Sequence, residues 1–183
     1  MTSNYVYLLD RGRIAVDNDC NGYGVFGDLV HKRIASRVRV GATSTDMNLS
    51  ASGRTLLVAT GRNLVGVDVR FGRVRHIFTA PFPIVWTATG PPGRFLAIGD
   101  TDTVGIIDAK SGRLRVIAHG DASGNLILDM LWTSPDDLLI ETSGQTRGAG
   151  DLDPGLTVLD VVHGTRRTVS LPVSAHHLAA LGS

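Results

Sequence analysis

The residues of this chain that could do chemistry are acids and histidines at telling intervals. Asp28, Asp68 and Asp108 stand forty positions apart, and Asp160 follows after a further fifty-two. Gathered in one place, such carboxylates would hold a cation or exchange protons. Asp46, Asp129 and the adjacent pair His176 and His177 make a second set. Two acids with imidazole nitrogens are donors for a divalent metal or a cationic ligand. No G-x-S-x-G elbow occurs, and no Ser, His and acid assemble into a triad from their spacing. Cys20 is the single cysteine, which rules out an internal disulfide and a cysteine metal cluster. GYG and GAG are too short to cradle a phosphate and precede no helical pattern.

Whether either acid set converges depends on the elements that carry it. The interval of forty is a repeat. VGVDVRFGRVRHI and VGIIDAKSGRLRVI align Asp68 with Asp108, Gly72 with Gly112, Arg73 with Arg113, Arg75 with Arg115 and Ile77 with Ile117. An earlier copy, GVFGDLVHKRIASRV, carries Asp28 with Lys32 and Arg33 in the places of Gly72 and Arg73. A later one, LTVLDVVHGTRRTV, carries Asp160 and Gly164, and its additional twelve residues fit the turn-rich stretch SGQTRGAGDLDPG at 143–155. A second anchor agrees: Gly12-Arg13, Gly53-Arg54 and Gly93-Arg94 lie fifteen or sixteen residues before their Asp.

Every copy reads as four strands. A short apolar strand (YVYLL, MNLS, PIVWT, LDMLW) is followed by a turn such as SASG, GPPG or TSPDD. A β-branched run (RIAV, TLLVA, FLAI, LLIE) and a strand closing on the repeated Asp come next, and then an alternating strand such as RVRHI, RLRVI or TRRTVSL. No segment sustains helical spacing. Four strands per unit of about forty residues is the spacing of a β-propeller blade. The expected fold is therefore all-β: one domain over 1–183 with about four four-stranded antiparallel blades, at 5–40, 46–79, 84–119 and 127–171. Middle strands apolar on both faces suit sheets stacked between neighbours. The charged fourth strand suits an outer edge that must not recruit another chain. Trp86 and Trp132 fall on inner strands at similar blade positions and read as core.

Composition sets outer bounds. Across 183 residues, 43% hydrophobic and 19% charged content excludes disorder, and a formal net charge of +1 gives no electrostatic case for nucleic acid or an anionic membrane. Only Lys32 and Lys110 are lysine among eighteen basic residues, a bias expected of a GC-rich bacterial genome. No apolar stretch approaches the ~18 residues of a membrane span. MTSNYVYLLDRGR lacks a signal-peptide pattern, so a complete chain is expected in the cytoplasm; for a piece of a longer protein the compartment stays open.

LWTSPDDLLI, LSASGRTLLV and WTATGPPGRFLAI resemble the first-strand, turn, second-strand segment of WD-repeat-like and TolB-type β-propellers. IIDAKSGRLRVI resembles their Asp-x-x-x-Gly hairpin, although the closing Trp-Asp pair of strict WD repeats is absent. The resemblance covers nearly the whole chain and implies blades around a channel, used more often as a binding platform than as an enzyme. It also implies six to eight blades, where four are counted. Residues 175–183, SAHHLAALGS with its predecessor Ser174, repeat the start of the second blade and would begin a further blade or supply a closing strand. An incomplete ring, either a fragment or one completed by a second copy, is favoured over a closed four-bladed one. Self-association through the terminal blades follows.

That architecture separates the acid sets. The four repeated aspartates fall on different blades and are expected to cap hairpin turns. Asp46, Asp129, His176 and His177 are expected near the channel mouth as ligand-binding residues, with at most one of two adjacent histidines facing inward. In the 143–155 insertion, Asp151 and Asp153 lack the spacing and closing Glu of an EF-hand, so Arg147, Asp151 and Asp153 are expected on a partner-binding surface loop. Arg73, Arg75, Arg113, Arg115, Arg166 and Arg167 are expected along the rim, interleaved with acids and without aromatic stacking partners, which speaks against nucleic acid. The favoured function is a non-catalytic module that binds a protein or peptide, with no cofactor, resident metal or catalytic residue. The rival is a propeller-type hydrolase or lyase with a metal or acid site at the channel mouth.

Overall fold

The computed structural model describes residues 6–9, 13–18, 23–28, 33–41, 44–90, 94–119, 126–143 and 154–170. Among them no helix occurs, and so none long and apolar enough to cross a membrane. The first sheet holds β1 (Val6–Leu9), β2 (Arg13–Asn18), β3 (Tyr23–Asp28) and β4 (Arg33–Arg39). The second holds β5 (Ser44–Leu49), β6 (Thr55–Thr60), β7 (Asn63–Asp68) and β8 (Val74–Thr79). The third holds β9 (Trp86–Thr89), β10 (Phe95–Gly99), β11 (Thr103–Asp108) and β12 (Leu114–His119). The fourth holds β13 (Leu126–Trp132), β14 (Asp137–Ser143), β15 (Pro154–Asp160) and β16 (Arg166–Ser170). In each sheet the strands lie side by side in chain order, an antiparallel meander of the β-propeller blade type.

Local chemistry explains each turn. TLLVAT and NLVGVD in β6 and β7 are joined by the two-residue turn Gly61-Arg62, with Thr60 paired to Asn63. Gly61 has φ 59°, a conformation strained for any residue with a Cβ. Between β7 and β8, Asp68 Oδ1 accepts the backbone N–H groups of Arg70 at 2.8 Å and Phe71 at 2.7 Å. The Asp108 turn repeats this with Lys110 at 3.0 Å and Ser111 at 2.7 Å. The Asp160 turn repeats it with Val162 at 2.9 Å and His163 at 2.8 Å. Gly72, Gly112 and Gly164 follow with φ of 65°, 68° and 73°. Three repeated carboxylates are therefore engaged by their own turns, as the spacing predicted; Asp28 closes β3.

The chain divides into two compact units, Met1–Thr87 and Ala88–Ser183, with the boundary inside β9. In the first unit Val38 and Val40, at the end of the first sheet, pack with Met47, Leu56, Val58, Val65 and Val67 of the second. Each such side chain contributes about 1.5–3 kcal/mol of burial. Val38 comes so near the β7–β8 turn that a Cβ on Gly72 would lie 3.2 Å from its Cγ2. In the second unit the core runs through Leu96, Ile98, Ile106, Met130, Trp132, Leu138, Ile140 and Leu159. Trp132 stacks on Phe95 with ring centroids 6.1 Å apart and donates its indole N–H to Ala88 O at 2.9 Å. Gly90 makes room for it, since a Cβ there would stand 3.1 Å from the indole Cδ2. Trp86 and Trp132 are not equivalent: Trp132 directly precedes the hairpin bond Thr133 N–H to Asp137 O, whereas Trp86 lies four residues before the matching Gly90 N–H to Phe95 O. β8 turns nearly all its residues to solvent, as an outer strand should.

Candidate functional site

β5 carries the first of the two acids that sequence reasoning assigned to a ligand. Its pairing with β6 slips by one residue between Ser44 and Asp46, a bulge that re-aims the strand's side chains. Beyond the bulge Asp46 is opposite Ala59, and only 4% of it is exposed. Its Oδ2 accepts the Thr87 backbone N–H at 2.6 Å, the Thr87 hydroxyl at 2.7 Å and the Asn48 amide at 3.3 Å. Asn48 Nδ2 also donates to Thr87 O at 2.6 Å and Thr87 Oγ1 at 3.0 Å. One residue earlier, the Thr45 hydroxyl donates to Ile84 O at 2.5 Å, and Ile84 N–H donates to Gly61 O at 2.7 Å. Asp46, Asn48 and Thr45 thus clamp the segment Ile84–Thr87 to the second sheet. Charge-assisted bonds of this kind are the stronger sort. A carboxylate so engaged is a fastening in this structure.

β13 carries the second acid in the same register. Its pairing with β14 slips between Ile127 and Asp129, and the pair Asp129-Met130 repeats Asp46-Met47 position for position. Asp129 is half-buried, and its Oδ1 accepts the Met130 N–H at 2.7 Å. The residue opposite it is Glu141, with no exposed surface at all. Directly opposed residues of an antiparallel pair share a face, about 4.5–5.5 Å apart at Cβ. Two acidic residues are therefore paired across neighbouring strands of the fourth sheet. Glu141 is the residue that sequence reasoning missed. The signal lay in the register: the same position is Ala59 in the second blade and Gly99 in the third.

Asp46 belongs to the first unit and Asp129 to the second. His176, His177, Arg147, Asp151 and Asp153 lie outside the described residues. Among the described residues no group of three or more His, Cys, Asp or Glu is gathered in metal-ligand geometry.

The arginines depart from expectation. Arg73 does have an aromatic partner: its guanidinium lies 5.6 Å from the centre of the Phe71 ring, and that of Arg70 lies 5.1 Å from it. Arg94 likewise covers Phe95 at 4.6 Å. Arg115 donates to Val161 O and Arg166 to Ile117 O, so these two are joined to backbone carbonyls rather than interleaved with acids. Spacing alone showed neither arrangement, because one needs the turn that brings Phe71 and Arg73 together and the other the packing of residues nearly fifty apart.

Electrostatics at the turns is local. The backbone N–H of Ser111, and then its hydroxyl, hold Asp108 below the usual carboxylate range. Asp160 is lowered chiefly by the His163 backbone N–H and next by the imidazole, which lies 2.8 Å away. In return the Asp160 carboxylate raises His163 above its ordinary value of 6.5.

No protein-family model and no curated protein matches the sequence. Among solved structures the chain is similar to Kuenenia stuttgartiensis hydrazine synthase, at 13% identity and a TM-score of 0.71, covering 90% of this chain and 48% of that one. It is also similar to the β-propeller domain of Cps50 (Swd1) from Myceliophteria thermophila, at 18% identity and a TM-score of 0.71, covering 93% of this chain and 56% of that one. The chain spans about half the length of these structures. Likeness at such identity carries the fold, a β-propeller, and nothing of the activity.

Proposed function

We propose that the chain is a non-catalytic β-propeller module that binds a protein or peptide partner. The observation that carries this reading is the use of Asp46. The acid best placed for chemistry at an inner strand directs one oxygen at three donors of its own fold. A general base or metal ligand needs a lone pair turned toward its substrate. Rigid sheets carrying surface loops offer instead a platform on which a partner is recognised. Resemblance to the β-propeller domain of Cps50 supports the platform and leaves the partner open. Self-association through the terminal blades is part of the same proposal, since an uncovered blade face invites a second sheet.

The rival reading, a hydrolase or lyase using an acid pair, draws on one observation: Asp129 and Glu141 opposed on neighbouring strands. Metal content of the purified protein separates the two. The binding module is expected to hold no stoichiometric divalent metal, with or without Asp129→Asn. Stoichiometric calcium or zinc that disappears in Asp129→Asn would transfer the case to the enzyme.

A further inference from the structure

We propose that the β7–β8 turn of the second blade is a docking surface for an acidic peptide segment of a partner protein. The three described turns of this type share one backbone and differ at one position. Ser111 uses its hydroxyl to bond Asp108 at 3.0 Å, and His163 uses its imidazole to bond Asp160 at 2.8 Å. Phe71 occupies the same place, donates the same backbone N–H and has no side-chain group to return to Asp68. The residue is 63% exposed. An aromatic gains little from a turn that a serine completes equally well.

What the ring does is hold two cations. Arg70 and Arg73 both lie over it, at 5.1 Å and 5.6 Å from its centre. Neither guanidinium is paired with a carboxylate among the described residues. A guanidinium stacked on an aromatic keeps its N–H edges free for carboxylate oxygens, and its long side chain has already given up much of its rotamer freedom. The entropy that an exposed arginine loses on binding is thereby lost in advance. Arg75 follows on β8 with its side chain exposed. Val74 and Ile77 add exposed apolar surface on the same strand. The one acid within the turn, Asp68, is occupied by the Arg70 and Phe71 N–H groups. A cationic surface with apolar flanks, whose one carboxylate is engaged by backbone N–H groups, fits a carboxylate-rich segment. A nucleic acid fits less well, because a base stacking on the ring would compete with the guanidiniums already over it.

This rests on reading the chain as a partner-binding module, and it names one surface of it. The test is fluorescence anisotropy with labelled hexaglutamate, hexalysine and a thymidine hexanucleotide at physiological salt. Hexaglutamate is expected to bind saturably, with affinity reduced tenfold or more in Arg70→Gln/Arg73→Gln and several-fold in Phe71→Ser. Phe71→Ser installs the residue of the third-blade turn, so its thermal midpoint should match that of the parent. Arg113→Gln, in that third-blade turn, should leave binding unchanged. No hexaglutamate binding, equal loss in Arg113→Gln, unchanged affinity in Phe71→Ser, or tighter binding of the hexanucleotide would each overturn the proposal. Such a failure removes this surface alone; the wider reading stands or falls on metal content.

Discussion

The second and fourth blades are written with the same phrase and use it differently. In both, an Asp-Met pair follows a bulge on the first strand, and in both the Met enters the core. In the second blade the Asp is opposite a small alanine and reaches across to Thr87. In the fourth it is opposite a buried glutamate and caps the N–H of its own neighbour. At the far end of the sheet the contrast recurs, with Phe71 turned to solvent in one blade and His163 turned back to its aspartate in the other. Repetition fixes the backbone of a blade; the side chains left over from that task are where blades acquire separate roles.

The comparison breaks most readily at the two aspartates. Asp46→Ala leaves the buried N–H and hydroxyl of Thr87 without their carboxylate acceptor and is expected to cost about 3 kcal/mol or more. Asp129→Ala, which removes a half-buried cap, is expected to cost about 1 kcal/mol. Urea denaturation of both variants checks this, and equal losses would mean that the two acids are fastenings of one kind. The next effect concerns the position shared by Ala59, Gly99 and Glu141. A Cβ on Gly99 would lie 3.0 Å from Thr103 O and 3.2 Å from Met130 Cε. Gly99→Ala is therefore expected to cost about 1–3 kcal/mol through overpacking. A neutral Gly99→Ala would show that the third blade tolerates bulk there as the fourth does.

The smallest effect separates the turns by pH. His163 is raised above 6.5 by Asp160, so its contribution to stability is complete below pH 6.5 and is lost as pH rises through the raised value. Asp160 is lowered from 3.8, so its contribution is present above pH 3.8 and is lost as pH falls through the lowered value. His163 is exposed and Asp160 only half-buried, which keeps the change slight. The denaturation midpoint of His163→Ser, followed from pH 5 to 8, should lose a weak alkaline decline seen in the parent. An identical decline in both proteins would remove His163 from the account.

Much of the architecture was legible because blades are local objects. A glycine at positive φ, an aspartate that caps its own turn and a run apolar on both faces are each set by neighbours in sequence, so Asp68, Gly72 and TLLVAT announce themselves. The sites were less legible because they depend on what lies opposite. The bond between Asp46 and Thr87, forty-one residues on, is set by the fold and not by spacing. Glu141 ends the run LLIE, and only strand pairing sets it opposite Asp129. Arg73 looked like one rim charge among six until a turn placed Phe71 beneath it.

Every described sheet is threaded in chain order, so most strands find their partner a few residues away along the polypeptide. Closing such short loops loses little chain entropy, and a hairpin of this kind forms in microseconds. A blade is accordingly able to assemble before the rest of the polypeptide leaves the ribosome. A gene for such a chain can also lengthen by duplicating one forty-residue unit, since no existing strand has to be rethreaded to admit the newcomer.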